Sequence, residues 1–289
     1  MNILITGADG FIGKYAVAHL GGQHRIFPLM IRGMALPWVS YADQIVIDLT
    51  DTRKLKLHFA EFAKKQAIDV IINLAFEVAS GNNAEDAGIL CRNISMVQNV
   101  AAIAQMLKPK KMINISSMAV YPNIDGVYNE KAQIGPAANN DCLYGLAKIC
   151  SEVILDFALR GERILVSHLR VSQVYGDGMR ADRTIPVMLR ELRQKNTITV
   201  HGNGERVSNF IHVNKLVGYL DFFVMEDTAG IFNIGDEELS YSDLAGKLAK
   251  EYGNERTRII KEPAGSRMKF RLDTSKMQEA MKAPQHAKK

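Results

Sequence analysis

From its second residue the sequence alternates short apolar runs rich in Ile, Leu and Val with amphipathic segments of helix length. The runs are continuous in apolar character, as strands buried on both faces must be. Candidate strands are 2–6, 25–31, 44–47, 69–74, 111–115, 164–169 and 231–234. Candidate helices are 11–20, 53–65, 84–106, 143–160, 186–195, 213–225 and 241–252. Strand and helix in repeated alternation predict an α/β Rossmann fold, a doubly wound parallel sheet with helices on both faces. After Arg170 the alternation loosens, and 175–183 and 201–208, which carry Gly, Asp, Asn and Arg, read as loops of a substrate pocket. The expected division is a nucleotide-binding domain from 1–169 with 209–233, and a smaller mixed α/β C-terminal substrate domain from 170–208 with 234–289. The last six residues, His286 among them, read as a frayed tail.

Composition narrows the function classes. A chain of 289 residues, 47% apolar, builds a full core without disulfide staples. Cys91, Cys142 and Cys150 are odd in number and hold no C-x-x-C pair, so no disulfide framework and no zinc site is expected. His19, His24, His58, His168, His201, His212 and His286 show no metal spacing and read as core or surface histidines. The net charge of +5 is scattered, with no basic block interleaved with aromatics, so no nucleic-acid partner is expected. No apolar stretch approaches the ~20 residues of a membrane span, and Met1-Asn2-Ile3-Leu4-Ile5 has no basic leader region. A soluble cytoplasmic protein with a small-molecule partner is the expectation.

Ile3-Leu4-Ile5-Thr6-Gly7-Ala8-Asp9-Gly10-Phe11-Ile12-Gly13 reads as a strand, a glycine turn and a helix start. In that order Gly7 permits the tight turn, Gly10 lets backbone approach a pyrophosphate, and Gly13 lets helix pack on strand. The helix N-terminus offers N–H donors to the anion, and Asp9, Phe11 and Ile12 complete the cofactor-lining stretch. At the end of the second strand an acid would bind the ribose hydroxyls of NAD, whereas an arginine would receive the extra phosphate of NADP. Leu29-Met30-Ile31-Arg32 has the arginine and no acid, so NADP is expected, with NAD as the alternative. Tyr144-Gly145-Leu146-Ala147-Lys148 places a phenol and an ammonium on one helix face, where the charge would favour the phenolate. Ile113-Asn114-Ile115-Ser116-Ser117 runs a buried strand into two hydroxyls at the carboxyl end of the sheet.

The T-G-x-x-G-x-x-G spacing resembles the extended short-chain dehydrogenase/reductase family, the NAD(P)-dependent epimerases, dehydratases and reductases of nucleotide sugars, and the resemblance runs the length of the chain. It implies that Asp48 and Leu49 form the acidic turn beside adenine, that Leu74 and Ala75 lie along the cofactor with Ser116, and that Asn93 sits near the active site. It also implies that Ser117 is the catalytic hydroxyl, that Tyr144 passes the proton and that Lys148 holds the nicotinamide ribose and tunes Tyr144. The helices 84–106 and 143–160 commonly form this family's homodimer interface.

Departures discriminate within the family. Its 4,6-dehydratases carry Asp-Glu after the catalytic hydroxyl, where this chain has Met118 and Ala119, neither able to move a proton. Its fucose-synthase type uses a Cys at the position of Ala119 and a His after the Tyr-Gly-Pro turn, absent from Tyr175-Gly176-Asp177-Gly178. The remaining readings are an NADP-dependent reductase of a nucleotide-linked 4-keto-6-deoxyhexose, a 4-epimerase, and a non-catalytic NADP sensor. For the substrate, Gln173 stands where the family has Asn, and the pyrophosphate arginine falls on Ser208. Arg206, two residues earlier and expected to face the other way, and Arg267 are the candidate phosphate ligands.

Overall fold

The structure, a computed structural model, describes residues 1–78, 86–138 and 142–282. In chain order the first elements are β1 (Asn2–Thr6), α1 (Phe11–Leu20), β2 (Arg25–Met30), β3 (Ile45–Val46), α2 (Thr52–Lys65), β4 (Val70–Asn73) and α3 (Gly88–Leu107). They are followed by β5 (Lys111–Ser117), β6 (Gly126–Tyr128), α4 (Cys142–Ala158), β7 (Leu165–Val171), β8 (Gln173–Tyr175), α5 (Thr184–Lys195) and β9 (Thr197–His201). The remainder are β10 (Val207–His212), α6 (Val213–Met225), β11 (Gly230–Ile234), β12 (Glu237–Ser240), α7 (Tyr241–Tyr252), β13 (Arg258–Glu262), β14 (Phe270–Leu272) and α8 (Ser275–Lys282).

Seven parallel strands make one sheet in the order β11-β7-β5-β4-β1-β2-β3. The chain winds outward from β1 through β2 to β3, then restarts at β4 on the other side. The strand order therefore reverses between β1 and β4, and the crevice at their carboxyl ends is where such a sheet takes a ligand. Successive residues of a strand face opposite ways, so Ile3 and Ile5 enter the core shared with α1 and α6, whereas Leu4 enters the core shared with α2, α3 and α4. In α1 the buried residues Gly13, Ala16, Val17 and Leu20 recur at the 3.6-residue period.

A polar row crosses this apolar sheet. Thr6, Asn73, Asn114 and His168 are register neighbours on β1, β4, β5 and β7. Thr6 Oγ1 donates to Asn73 Oδ1 at 2.7 Å, Asn73 Nδ2 donates to Asn114 Oδ1 at 2.9 Å, and Asn114 Nδ2 lies 3.1 Å from His168 Nδ1. His168 Nε2 meets Asp156 on α4 at 3.0 Å, so this histidine is a satisfied core residue. Each group has a partner, which is the condition for burying so many polar atoms.

Beyond β7 the structure departs from the expected loops. Part of 175–183 is strand, since β8 runs parallel to β10 in a three-stranded sheet that β12 completes, and β10 takes the end of the 201–208 segment. β9 pairs with β13, and β14 with β6. These strands are three to six residues long and mix polar with apolar residues, so no periodic run announces them. The third helix begins at Gly88, and positions 84 and 85 of the expected span lie outside the described residues, as does His286.

Candidate active site

The glycine turn closes the crevice between β1 and β4. Gly7 has φ +66°, and a Cβ on it would stand 2.8 Å from the Ala75 Cα. A Cβ on Gly13 would stand 2.1 Å from the Gly7 carbonyl oxygen, so only glycine lets α1 pack this close to the turn. Gly10 is the N-cap of α1, with no side chain capping that end and no acid in the first turn to compete with an anion. Asp9, Phe11 and Ile12 are partly exposed along the same end. Tyr15 Oη donates to the Asp177 carbonyl at 3.0 Å, which brings the Tyr175-Gly176-Asp177-Gly178 segment beside α1. Arg32, past the end of β2, is exposed and has no ion pair among the described residues, whereas Met30 is buried. The turn, the bare helix end and a free guanidinium together fit a dinucleotide.

The other sequence-selected residues divide into those at the crevice and those turned away from it. Leu74 and Ala75 hold it directly, with Ala75 N donating to Thr6 Oγ1 at 3.2 Å. Asp48 uses Oδ1 to accept from Thr50 N and Oγ1, both at 2.8 Å, and is itself exposed; Leu49 is buried beneath it. Asn93 acts on the loop beside the site. Its amide is buried and engaged twice by Glu77, accepting from Glu77 N at 2.8 Å and donating to Glu77 O at 2.9 Å, so it shapes the loop after β4. Ser116 likewise turns its hydroxyl inward, donating to Glu152, and only its backbone is left for a cofactor.

Ser117 ends β5, and α4 packs on this end of the strand, with Lys148 on the Ile115 carbonyl and the Gly145 backbone so close that a Cβ there would stand 2.2 Å from the Ala119 carbonyl oxygen. Ser117 Oγ accepts from Ala119 N at 3.1 Å and so also caps the turn Met118–Val120, a bond that leaves its proton to donate. Lys148, Ser151, Glu152 and Leu155 form the buried stripe of α4, an unusual place for a lysine. Lys148 Nζ donates to the Ile115 carbonyl at 2.7 Å and lies 5.7 Å from the centre of the Tyr144 ring. Burial pushes the Lys148 ammonium down to about 7, against the nearby Glu152 carboxylate, which raises it. Glu152 is also paired with Arg170 at 2.7 Å, both side chains buried, and Arg170 donates onward to Tyr121 Oη at 3.0 Å. Phe76, which is not among the residues expected at the site, touches both Tyr144 and Lys148. Its signal was its place directly after Asn73-Leu74-Ala75.

Around β8 and β10 the outcome is mixed. Gln173 Nε2 donates to Ser208 Oγ at 2.8 Å, so this amide is engaged within the sheet. The Arg206 guanidinium lies 5.0 Å from the Tyr241 ring centre, and Tyr241 Oη is 3.5 Å from the same Gln173 amide. Arg206 and Ser208 thus share a side, and the expectation that they face apart was wrong, because a strand repeats every two residues. Arg206 has no ion pair among the described residues and its Nε is buried without a partner. Arg267 is exposed and donates to the Pro263 carbonyl at 3.5 Å.

A family model described as the NAD dependent epimerase/dehydratase family matches residues 3–235, most of the chain. The chain belongs to this family. The chain is 27% identical to dTDP-4-dehydro-6-deoxyglucose reductase of Escherichia coli, over 82% of this chain and 77% of that protein. It is 23% identical to dTDP-D-glucose 4,6-dehydratase of Dictyostelium discoideum over 85% of this chain, and spans 61% of that longer protein. Among solved structures, UDP-N-acetylglucosamine 4-epimerase from Methanobrevibacter ruminantium M1 superimposes with a TM-score of 0.80 at 19% identity, covering 98% of this chain and 93% of that one. MoeE5, solved with UDP-glucuronic acid and NAD, superimposes with a TM-score of 0.78 at 22% identity, covering 96% and 92%. At these identities the superpositions show the Rossmann fold of the epimerase/dehydratase family. Among the described residues no helix is long and apolar enough to cross a membrane, and no group of three or more His, Cys, Asp or Glu could hold a metal.

Proposed function

We propose that this member of the epimerase/dehydratase family is an NADP-dependent reductase of the 4-keto group of a nucleotide-linked 4-keto-6-deoxyhexose. The single observation that supports the reading is the Lys148 ammonium held on the Ile115 carbonyl of β5 and 5.7 Å from the Tyr144 ring centre, at the strand end where Ser117 opens a turn, Met118–Val120, without an acid or base. When bound, NADPH supplies the hydride. The glycine turn and the α1 N-terminus would hold its pyrophosphate, and Arg32 its ribose phosphate. Tyr144 donates the proton to the 4-oxygen, and Ser117 hydrogen-bonds the same atom. The Lys148 charge lowers the cost of the Tyr144 phenolate left behind. Without a further proton carrier on the turn after Ser117, elimination of water has no catalyst there. The E. coli relative carries the name of a reductase. The 4-epimerase is the second reading, favoured by neighbours of that name solved with NAD.

In this reading Gln173 and Arg206 contact the sugar nucleotide, with Arg267 as a further phosphate ligand. The apolar groove between α3 and α4, lined by Ala101, Ala102, Val153 and Phe157, supports a homodimer.

The test is NADPH consumption against a panel of 4-keto-6-deoxy nucleotide sugars, beside the corresponding 4-hydroxy sugars watched for epimerisation. Consumption with a keto sugar is expected. Interconversion without net consumption would transfer the case to the epimerase, and no reaction with either would leave a non-catalytic dinucleotide binder.

Arg32→Asp is expected to reverse a preference for NADPH over NADH, because a carboxylate repels the phosphate that the guanidinium pairs. Fluorescence titration of both cofactors checks this, and equal affinities for the unaltered protein would remove the argument from Arg32.

A further inference from the structure

Phe76 stands in the loop after β4, in contact with two ionisable groups of the site. Its ring meets the Tyr144 ring edge to face, centroids 5.2 Å apart and planes at 83°. Lys148 Nζ lies 3.8 Å from the Phe76 centroid. Both flanking residues are tied down: Ala75 N donates to Thr6 Oγ1, and Glu77 is held through both its N–H and its carbonyl by Asn93. The loop therefore presents this ring from a braced backbone.

The groups around the Lys148 ammonium come from three elements. β5 contributes the Ile115 carbonyl, α4 contributes Tyr144 and Glu152, and the loop contributes Phe76. Ser116 on β5 and Arg170 on β7 bond to Glu152, and Glu77 beside Phe76 is paired with Arg92. The face of an aromatic ring carries partial negative charge and attracts an ammonium, more strongly where water is excluded.

We propose that Phe76 is a positioning residue of this site, its ring face holding the Lys148 ammonium while its contact with Tyr144 sets the separation of phenol and ammonium. This rests on the reading of Tyr144 and Lys148 as the working pair, but its test needs no turnover. Burial alone favours the neutral amine of Lys148, and the ring face favours the charged form, as Glu152 does. Removing the ring therefore makes Lys148 lose its proton at a lower pH.

The experiment is an NMR titration of the full chain labelled with 13C-lysine, the Lys148 Cε resonance being assigned by its loss in Lys148→Arg. Phe76→Leu, which keeps apolar cover, is expected to lower the midpoint by roughly half to one pH unit. Phe76→Trp, which keeps an aromatic face, is expected to titrate at or above the unaltered protein. An unchanged midpoint in Phe76→Leu, or a midpoint in Phe76→Trp that falls with it, overturns the proposal. Should Phe76→Leu fail to fold by thermal melting, the Trp variant decides alone, a lowered midpoint counting against. Turnover of the unaltered protein and its loss in Tyr144→Phe bear on the Tyr144–Lys148 reading separately, whichever way these midpoints fall.

Discussion

Tyr144→Phe is expected to lower kcat by at least ~100-fold, the usual scale for removing a positioned proton donor. The substitution deletes one hydroxyl and keeps the ring against Phe76, so the fold and the crevice between β1 and β4 stay as they are. Cofactor affinity should change little, since the turn at Gly7 and the start of α1 are on another part of the sheet. Steady-state turnover and cofactor titration on the same preparation check both halves. A fully active Tyr144→Phe protein would show that the site has been assigned to the wrong residues.

Arg170→Met should destabilise the chain by about 3–5 kcal/mol, because it leaves the Glu152 carboxylate buried without its counter-charge. Arg170 donates to both Glu152 oxygens, at 3.0 and 2.7 Å, and to Tyr121 Oη, whose own hydrogen goes to Asn233 Oδ1 at 2.8 Å. Asn233 in turn donates to the Tyr128 and Asp273 carbonyls, each at 3.0 Å, so one network joins β5, β7, β11 and the start of the C-terminal segment. The double variant Arg170→Met, Glu152→Leu removes both charges and should recover part of the loss, since neighbouring effects in one network do not add. Denaturant unfolding of the single and double variants measures this. Equal or greater destabilisation in the double variant would mean that packing rather than charge pairing sets the effect.

The main sheet was readable because its strands are buried on both faces. Continuous apolar runs such as Ile3-Leu4-Ile5 and Val70-Ile71-Ile72 leave few alternatives, and the helices between them keep a clear 3.6-residue period, so α1, α6 and α7 fall on the residues expected. The glycine turn was readable for a related reason: the backbone at Gly7 and the closeness of Gly13 to the turn exclude any Cβ, and that demand is written in the residue type itself. That Tyr144 and Lys148 stand side by side on α4 was readable from helical spacing.

Tertiary structure alone decided what each polar group faces. Ser116 and Ser117 are adjacent hydroxyls in the sequence, yet the pleat of β5 sends one to Glu152 and leaves the other at the turn. Asn93 and Gln173 are amides that the family resemblance brings to the site, and only the fold shows that contacts 16 and 35 residues away engage the Asn93 amide with Glu77 and the Gln173 Nε2 with Ser208. Phe76 has no sequence signal beyond its place after Asn73-Leu74-Ala75, because its partners Tyr144 and Lys148 lie on α4, distant in the chain. The short strands β8, β9, β10 and β12 escaped notice because their pairing depends on neighbours distant in the chain and not on their own periodicity. Local sequence determines where backbone must bend, and which runs must be buried, since those constraints act within a few residues. Which donor meets which acceptor is a property of the packed whole, because a hydrogen bond inside the protein is set by distances that only the completed fold supplies.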